Sequence, residues 1–369
     1  MRGSFTSVMR LLLASVACVL GAAALTFAVD PLQLFRPSRL VAPFYSDDTR
    51  MQNAGLIRSQ SFDTAFIGTS LAIHFRQSDI DRALGVRSLK LAMTGSNSRQ
   101  QGFVLEQAID RGARRVIWAM DDFSFVDAAG IEADPYLSVD LYRRTAKGIA
   151  AYLFSAPMAK ESLFALLRSV PPLREPLSRA APFLPVKFAL SDVDDIYALP
   201  RDFDVARAYN AERTRAAFAY ITDPVRSSFL GEGYERDAMI RHFERDAASL
   251  ITRHPDVTFD VYFPPYSILQ FVAMRDASPA TLTIVTDLTA RIAQRLTQLA
   301  NVRLHDFRAI KAVTHDLNNY GDVIHHSPAV DAMVLKWLAS GEYRVDPKAP
   351  LASLEELKAQ VEAYRVPQP

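Results

Sequence analysis

The sequence predicts an α/β fold: a three-layer sandwich with a central parallel sheet of about five strands. Short apolar runs rich in β-branched and aromatic residues recur along the chain, and segments of helical periodicity separate them. Strands that alternate with helices pair in parallel through right-handed crossovers. With 369 residues, 49% of them hydrophobic, the chain can bury a large core and exceeds the usual size of one domain.

The N-terminus predicts a transmembrane anchor over residues 1–30. Residues 11–29 carry no charge, with Arg2 and Arg10 before them and Asp30 after them. Crossing the hydrocarbon core takes about 20 apolar residues, whereas the apolar region of a secretory signal has only ~7–15. Basic residues before the span favour a cytoplasmic N-terminus and a main domain outside the cytoplasm. A cleaved signal, which would release a soluble secreted protein, is the alternative.

The remaining elements follow in order. Residues 31–60 mix proline, arginine and aromatic residues without periodicity, which predicts a linker. The main domain is expected over 61–340, with strands at 64–67, 88–93, 115–120, 258–263 and 302–307. Helices are expected at 80–84, 103–109, 235–253 and 281–299, and after Ser327-Pro328. Capping boxes are expected at Ser98-x-x-Gln101 and at Ser353-x-x-Glu356, the second beginning a C-terminal helix within 341–369.

Residues 127–234 break the alternation of strands and helices. Seven prolines between positions 157 and 200 interrupt several short helical stretches. We therefore expect a mostly helical insertion over 127–234. It is either a lid beside the site or an irregular packing appendage.

One predicted strand ends in residues that carry chemistry. The run 64–67 ends at Gly68, which places Ser70 at the carboxyl end of a strand, where open α/β sheets bind ligands. A serine hydroxyl is a weak nucleophile until an oriented base accepts its proton. Asp322 and His325, three residues apart and late in the chain, supply an acid and a base from one loop. This pattern predicts a Ser70–His325–Asp322 triad. The alternative is that Ser70 only caps the next helix.

These blocks resemble the SGNH (GDSL-type) hydrolase superfamily, and more closely its membrane-anchored, SGNH-like members in bacterial envelopes. The resemblance spans about residues 30–338 and is carried by Asp30-Pro31, Gly68-Thr-Ser70, Gly95 and Asp322-Val-Ile-His-His-Ser-Pro328. It implies an SGNH/flavodoxin-like fold in the bacterial inner membrane, single-pass with a periplasmic domain. It also implies hydrolysis or transfer of acyl esters on an envelope polysaccharide, with a membrane O-acyltransferase as a partner.

The resemblance also implies an oxyanion hole. Its donors would be the backbone N–H groups of Ser70 and Gly95 and the side chain of Asn97, although Gly95 is equally readable as a turn glycine. The chain departs from the family pattern after the third strand, where Asp121 stands in place of the usual asparagine. Asp121 would bind a sugar hydroxyl or cap the next segment. Tyr266 would line the pocket or simply pack.

Other classes of function find little support. With a net charge of +1, the chain lacks the excess of basic residues typical of proteins that bind nucleic acid. The single cysteine and the scattered histidines form no metal-ligand pattern, and no glycine-rich loop cradles a phosphate. We therefore expect no cofactor and no metal. The rival to a serine enzyme is a non-catalytic glycan-binding or scaffold protein of an envelope polysaccharide system.

Overall fold

The computed structural model describes residues 2–41, 43–46, 48–126, 134, 137–180, 188–190, 192–196, 203–226 and 230–366. Part of the insertion expected over 127–234 lies outside these residues. Within them, seven strands form two sheets: β1 Tyr45–Ser46, β2 Thr64–Ile67, β3 Ser88–Lys90, β4 Arg115–Ala119, β5 Phe188–Leu190, β6 Thr258–Phe263 and β7 Val302–Asp306.

The described residues also contain 17 α-helices, several of them only one turn long. They are α1 Arg2–Val29, α2 Thr49–Ser59, α3 Gln77–Leu84, α4 Ser98–Asp110, α5 Val139–Arg143, α6 Ala146–Leu153, α7 Ala156–Ser169, α8 Pro171–Ala180, α9 Val205–Ala208, α10 Ala211–Thr222, α11 Arg236–Phe243, α12 Ser249–Arg253, α13 Ile268–Ala277, α14 Pro279–Leu296, α15 Lys311–Thr314, α16 Pro328–Ser340 and α17 Ala352–Ala363.

The larger sheet is parallel throughout and has the strand order β3-β2-β4-β6-β7. All four residues of β2 are buried, as befits a central strand of a parallel sheet. The expected α/β fold with about five parallel strands is confirmed. After β2 the chain adds β3 on one side and then β4 on the other, so a topological switch point lies at the carboxyl ends of β2 and β4. Open α/β sheets bind ligands at such a point.

The chain divides into two compact units. The N-terminal unit combines Met1–Gln60 with Asp134–Ile196, and the sheet unit combines Ser61–Ala133 with Tyr197–Pro369. The expected insertion over 127–234 is therefore shared between the units. In the N-terminal unit, β1 pairs with β5; in the sheet unit, α10 packs against α13.

Residues 31–60, expected as a linker, instead contain β1 and α2. Helix α2 buries Gln52 and Asn53 as well as Leu56 and Ile57. The Gln52 side chain accepts a hydrogen bond from the Ser46 backbone and donates one to the Leu32 carbonyl. Because polar residues fill buried positions of this helix, it lacks the apolar periodicity that would reveal it.

Helix α1 includes a segment, Thr6–Val29, that is long and apolar enough to cross a membrane. Its end is part of the N-terminal unit, since Ala23, Thr26 and Val29 are buried. Asp30 follows and accepts a hydrogen bond from the Tyr152 hydroxyl at 2.9 Å.

The two expected capping boxes differ in the structure. Helix α4 has its box one residue earlier: Asn97 accepts from Gln100 N, and the Gln100 side chain accepts from Asn97 N. Helix α17 begins after Leu351, with no side-chain cap. The Ser353 hydroxyl there donates to Asp306 instead, at 2.9 Å.

Candidate active site

Ser70 lies immediately beyond the carboxyl end of β2. Gly68 ends the strand, and Ser70 begins a turn of 3-10 helix, Ser70–Ala72. A Cβ on Gly68 would lie 2.8 Å from the Cβ atoms of both Ala119 and Ala72. Only glycine therefore allows this turn to fold back so closely against the end of β4.

The loop that carries Asp322 and His325 is closed by its own hydrogen bonds. Gly321 N donates to His325 O at 2.9 Å, and Asp322 Oδ1 accepts from the backbone N–H groups of Ile324 and His325 at 2.8 and 2.7 Å. This is the local turn that aspartate forms with the backbone two and three residues on. The acid and the base are thus fixed relative to each other within one turn.

Hydrogen bonds to the carboxyl end of β6 position this loop. The buried Tyr320 hydroxyl donates to Pro265 O at 2.7 Å, and Ser267 N donates to Val323 O at 3.1 Å. The late loop is thereby held at the same edge of the sheet as Ser70.

The three side chains meet in a continuous chain of hydrogen bonds. Ser70 Oγ lies 2.9 Å from His325 Nε2, and His325 Nδ1 lies 2.6 Å from Asp322 Oδ2. An ionised Asp322 only accepts, so Nδ1 carries the proton and Nε2 presents its lone pair to the Ser70 hydroxyl. The side chains of His325 and Asp322 are 35% and 39% exposed, so a substrate can reach them.

Electrostatics favours this arrangement. Burial alone would lower the pKa of His325, but the hydrogen bond and the charge of Asp322, together with the charge of Asp121, raise it above its usual value. Burial would raise the pKa of Asp322, but the hydrogen bonds from the ring and backbone of His325 and from Ile324 N hold it below its usual value. Asp322 is therefore ionised at the pH values at which His325 accepts the proton of Ser70.

Asp121 and Tyr266, for which contact with substrate was one of two expectations, are buried and joined by a hydrogen bond. The Tyr266 hydroxyl donates to Asp121 Oδ1 at 2.7 Å, and the Thr69 hydroxyl donates to Asp121 Oδ2 at 2.5 Å. Both carboxylate oxygens therefore accept a hydrogen bond from a hydroxyl group. The Asp121 side chain does not cap the 3-10 turn that follows it. Burial raises the pKa of Asp121 to about 7, although the two hydroxyl groups partly offset this effect.

Gly95 and Asn97 follow β3, the strand beside β2. Met93 N donates to Gly68 O at 2.9 Å, which brings the ends of the two strands together. Gly95 is exposed and has φ +60°. Its N–H and that of Ser70 make no hydrogen bond within the described part of the chain. The side-chain oxygen of Asn97 accepts a hydrogen bond from Gln100 N and so caps α4. Within the described residues, neither Gly95 nor Asn97 forms a hydrogen bond with Ser70, His325 or Asp322.

Segment 203–226 supplies residues that the sequence did not single out. The ring of Tyr209 packs on Gly321, and burial together with the charges of Asp331 and Asp322 raises the pKa of Tyr209. The Thr214 hydroxyl lies within hydrogen-bond distance of Leu317 O and Tyr320 O, at 2.9 and 3.0 Å. No local motif marks either residue, because their partners lie about a hundred positions later.

A cavity of about 340 Å³ lies between α3 and α16, lined by His74, Phe75, Arg76, Pro328, Asp331 and Leu335 among others. Neither Ser70 nor His325 is among its lining residues. Asp331 is only 6% exposed, and its Oδ1 lies 3.0 Å from His326 Nδ1 without the alignment of a hydrogen bond. His326 is thus turned towards Asp331, whereas its neighbour His325 faces Ser70.

The described residues contain no group of three or more histidine, cysteine or acidic side chains that could hold a metal ion. Comparison with protein-family profiles finds no family that matches the chain, and comparison with curated proteins finds no significant match.

Proposed function

We propose that this chain is a membrane-anchored, SGNH-like serine esterase or O-acyltransferase that acts on acyl esters of envelope glycans. The observation that carries the proposal is the unbroken hydrogen-bonded chain from Ser70 through His325 to Asp322. Nucleophile, base and orienting acid in this geometry are what acyl transfer through serine requires.

The first half-reaction forms an acyl-serine. His325 Nε2 takes the proton of Ser70 as Oγ attacks the ester carbonyl, and Asp322 stabilises the imidazolium. The tetrahedral intermediate then collapses, its C–O bond to the leaving alcohol breaks, and His325 returns the proton to that alcohol. In the second half-reaction, water or a sugar hydroxyl gives its proton to His325 and attacks the acyl carbon. The bond from that carbon to Ser70 Oγ then breaks, and His325 returns the proton to Oγ. Water completes hydrolysis, and a sugar hydroxyl completes transfer.

The oxyanion of each intermediate needs preorganised donors, and one such donor is worth ~3–4 kcal/mol. We assign the backbone N–H groups of Ser70 and Gly95 to this task, because neither is otherwise engaged in the described part of the chain. Asn97 retains its side-chain N–H₂ for the same purpose. Asp121 takes no part, since both of its oxygens accept from other hydroxyl groups.

The finer fold and the substrate class belong to the same proposal. A three-layer SGNH/flavodoxin-like arrangement agrees with the strand order and with Ser70 at the switch point. The substrate class, an acylated glycan, rests on the resemblance of the Ser70 and Asp322–His325 blocks to envelope SGNH-like proteins. A membrane O-acyltransferase would be the natural source of acyl groups.

Helix α1 supports the proposed location. Its apolar segment would cross the bacterial inner membrane once, with Arg2 and Arg10 on the cytoplasmic side and the sheet unit in the periplasm. An uncleaved anchor is favoured because the last residues of α1 are buried in the N-terminal unit.

Labelling with a fluorophosphonate tests the serine mechanism. The purified full-length protein should react at Ser70, and the adduct should be found on the peptide that contains it. Ser70→Ala should abolish labelling, and His325→Gln should slow it strongly, because the hydroxyl then lacks its base. Absence of labelling in folded wild-type protein, or undiminished labelling of Ser70→Ala, would rule the mechanism out.

A second candidate is a non-catalytic glycan-binding or scaffold protein. Asp121 favours this second function, because the resemblance implies an oxyanion-hole asparagine at its position. In cells that depend on this protein, Ser70→Ala and His325→Ala distinguish an enzyme from a scaffold. A scaffold keeps its cellular role in both variants, whereas an enzyme loses it in either.

A further inference from the structure

Helix α7 exposes apolar side chains in its C-terminal half that no described residue covers. Ala156, Lys160, Leu163 and Leu167 recur at intervals of four and three, so they share one exposed face of the helix, which is apolar from Leu163 onward. Val170 is also exposed and follows directly after the last helical residue, Ser169. Leu163, Leu167 and Val170 are 50%, 37% and 42% exposed. Exposed apolar residues continue at either end of the helix, at Phe154 and Leu173. Exposed apolar side chains grouped along one helix in this way are typical of an interaction surface.

The geometry of α1 points to the occupant of that surface. The candidate membrane span, Thr6–Val29, includes Ala23, Thr26 and Val29, which are buried in the N-terminal unit, and α1 packs against α7. A membrane that takes in the whole of this span therefore reaches the end of α1 that is packed in the N-terminal unit.

Charge supports the same conclusion. Residues 139–180 hold seven lysines and arginines against three acidic residues, a net charge of +4. At the end of α1, the Arg36 guanidinium donates to the carbonyls of Phe27 and Ala28 and lies over the Phe27 ring. A cation at the end of an apolar helix is typical of the membrane–water boundary. Basic residues beside an apolar face are typical of helices that lie on anionic lipid.

We infer that α7 lies in the bilayer interface on the side where α1 ends, with Leu163 and Leu167 among the lipid chains. The partner is the lipid surface itself. The inference rests on the anchor in the proposed function and extends it from one spanning helix to a second, interfacial contact. The N-terminal unit would then be held to the membrane at two places, which restricts its rotation about α1.

Site-specific quenching tests this contact on the full-length protein. Cys18→Ser removes the native thiol, and Leu167→Cys then carries an environment-sensitive fluorophore. The protein is reconstituted into vesicles of phosphatidylethanolamine and phosphatidylglycerol with a nitroxide-labelled lipid. Ser169→Cys is the matched control, because it is exposed on the same helix but about 200° around the axis from Leu167. Leu20→Cys reports on the anchor.

We expect nitroxide lipid to quench the label at Leu167 several-fold more than the label at Ser169. Similar quenching of the two positions, whether strong or weak, overturns the interfacial orientation. If Leu20 is quenched and Leu167 is not, only the contact of α7 fails; if neither is quenched, the anchor fails as well. Leu163→Cys provides a second position on the same face of α7 should Leu167→Cys fold poorly.

Discussion

The hydroxyl of Thr69 donates a 2.5 Å hydrogen bond to Asp121, which ties the residue before Ser70 to a buried acid at the end of the neighbouring strand. Tyr266 donates to the other oxygen of that acid at 2.7 Å. The turn that presents Ser70 is thus fixed by a hydrogen bond to Asp121, a buried acid whose pKa burial raises to about 7. The charge of Asp121 also raises the pKa of His325, so the protonation of His325 depends on whether Asp121 is ionised.

Asp121→Asn should shift the pH dependence of the reaction at Ser70. The variant removes a negative charge that favours protonated His325, so the pKa of His325 should fall. Because only neutral His325 can accept the proton of Ser70, the acid limb of the profile should move to lower pH. The measurement is the rate of fluorophosphonate labelling against pH. An amide can still pair with both hydroxyl groups, so the maximal rate should stay of the same order.

Asp110→Asn is the control for that experiment, because Asp110 is exposed at the end of α4 and is not among the groups that shift the pKa of His325. It should leave the profile unchanged. An unshifted acid limb in Asp121→Asn would contradict the proposed coupling and leave Asp121 only a structural role.

Asp322→Asn should abolish most of the reactivity while preserving the loop. An asparagine keeps the oxygen that accepts from Ile324 N and His325 N, so the turn survives. Its N–H₂ group, however, faces His325 Nδ1 and forces the proton onto Nε2, which then cannot accept from Ser70. The labelling rate should fall by roughly 10³–10⁴-fold. An unchanged rate, with an unchanged urea unfolding curve, would show that Asp322 does not orient the base.

The triad could be anticipated because its members lie in two short blocks of sequence. The apolar run before Gly68 predicts a strand end at Ser70, and three positions separate Asp322 from His325 whatever the rest of the chain does. The network around Asp121 could not be anticipated. Its partners Thr69 and Tyr266 are 52 and 145 residues away, and they meet only because β2, β4 and β6 lie side by side.

Helices with one polar face could be predicted from their apolar periodicity, whereas helices buried on most sides could not. Helix α14, with one apolar face, was expected almost in place. Helix α13 buries Ile268, Leu269, Phe271 and Val272 around most of its circumference, so no helical periodicity appears. The single helix expected over 235–253 is divided by a π-helical turn, Glu244–Ala248. Such a turn adds one residue per hydrogen-bonded ring and leaves no clear mark in the sequence.

Gly68→Ala should destabilise the sheet unit and slow labelling of Ser70. Its Cβ would meet the Cβ atoms of Ala119 and Ala72 at 2.8 Å, and overpacking of this kind costs ~1–3 kcal/mol. The measurement is the urea midpoint together with the labelling rate. Adding Ala72→Gly removes one of the two clashing atoms and should recover part of both losses. If the double variant is no better than the single one, steric crowding is not the reason for glycine at this position.

Thr214→Val should loosen the loop that carries the acid and the base. The buried Thr214 hydroxyl lies 2.9–3.0 Å from three carbonyl oxygens, those of Leu317 and Tyr320 in the loop and that of Asn210 one turn earlier. Valine keeps its shape while removing the donor. Loss of this hydrogen bond should cost ~1–2 kcal/mol of unfolding free energy. Labelling of Ser70 should slow several-fold, because His325 Nε2 would no longer be held 2.9 Å from Ser70 Oγ.

Thr222→Val, on the same helix, is the control, since the Thr222 hydroxyl bonds only to carbonyls of its own helix. This variant should match wild type in both measurements. Equal stability of Thr214→Val and Thr222→Val would mean that α10 merely covers the loop without fixing its position.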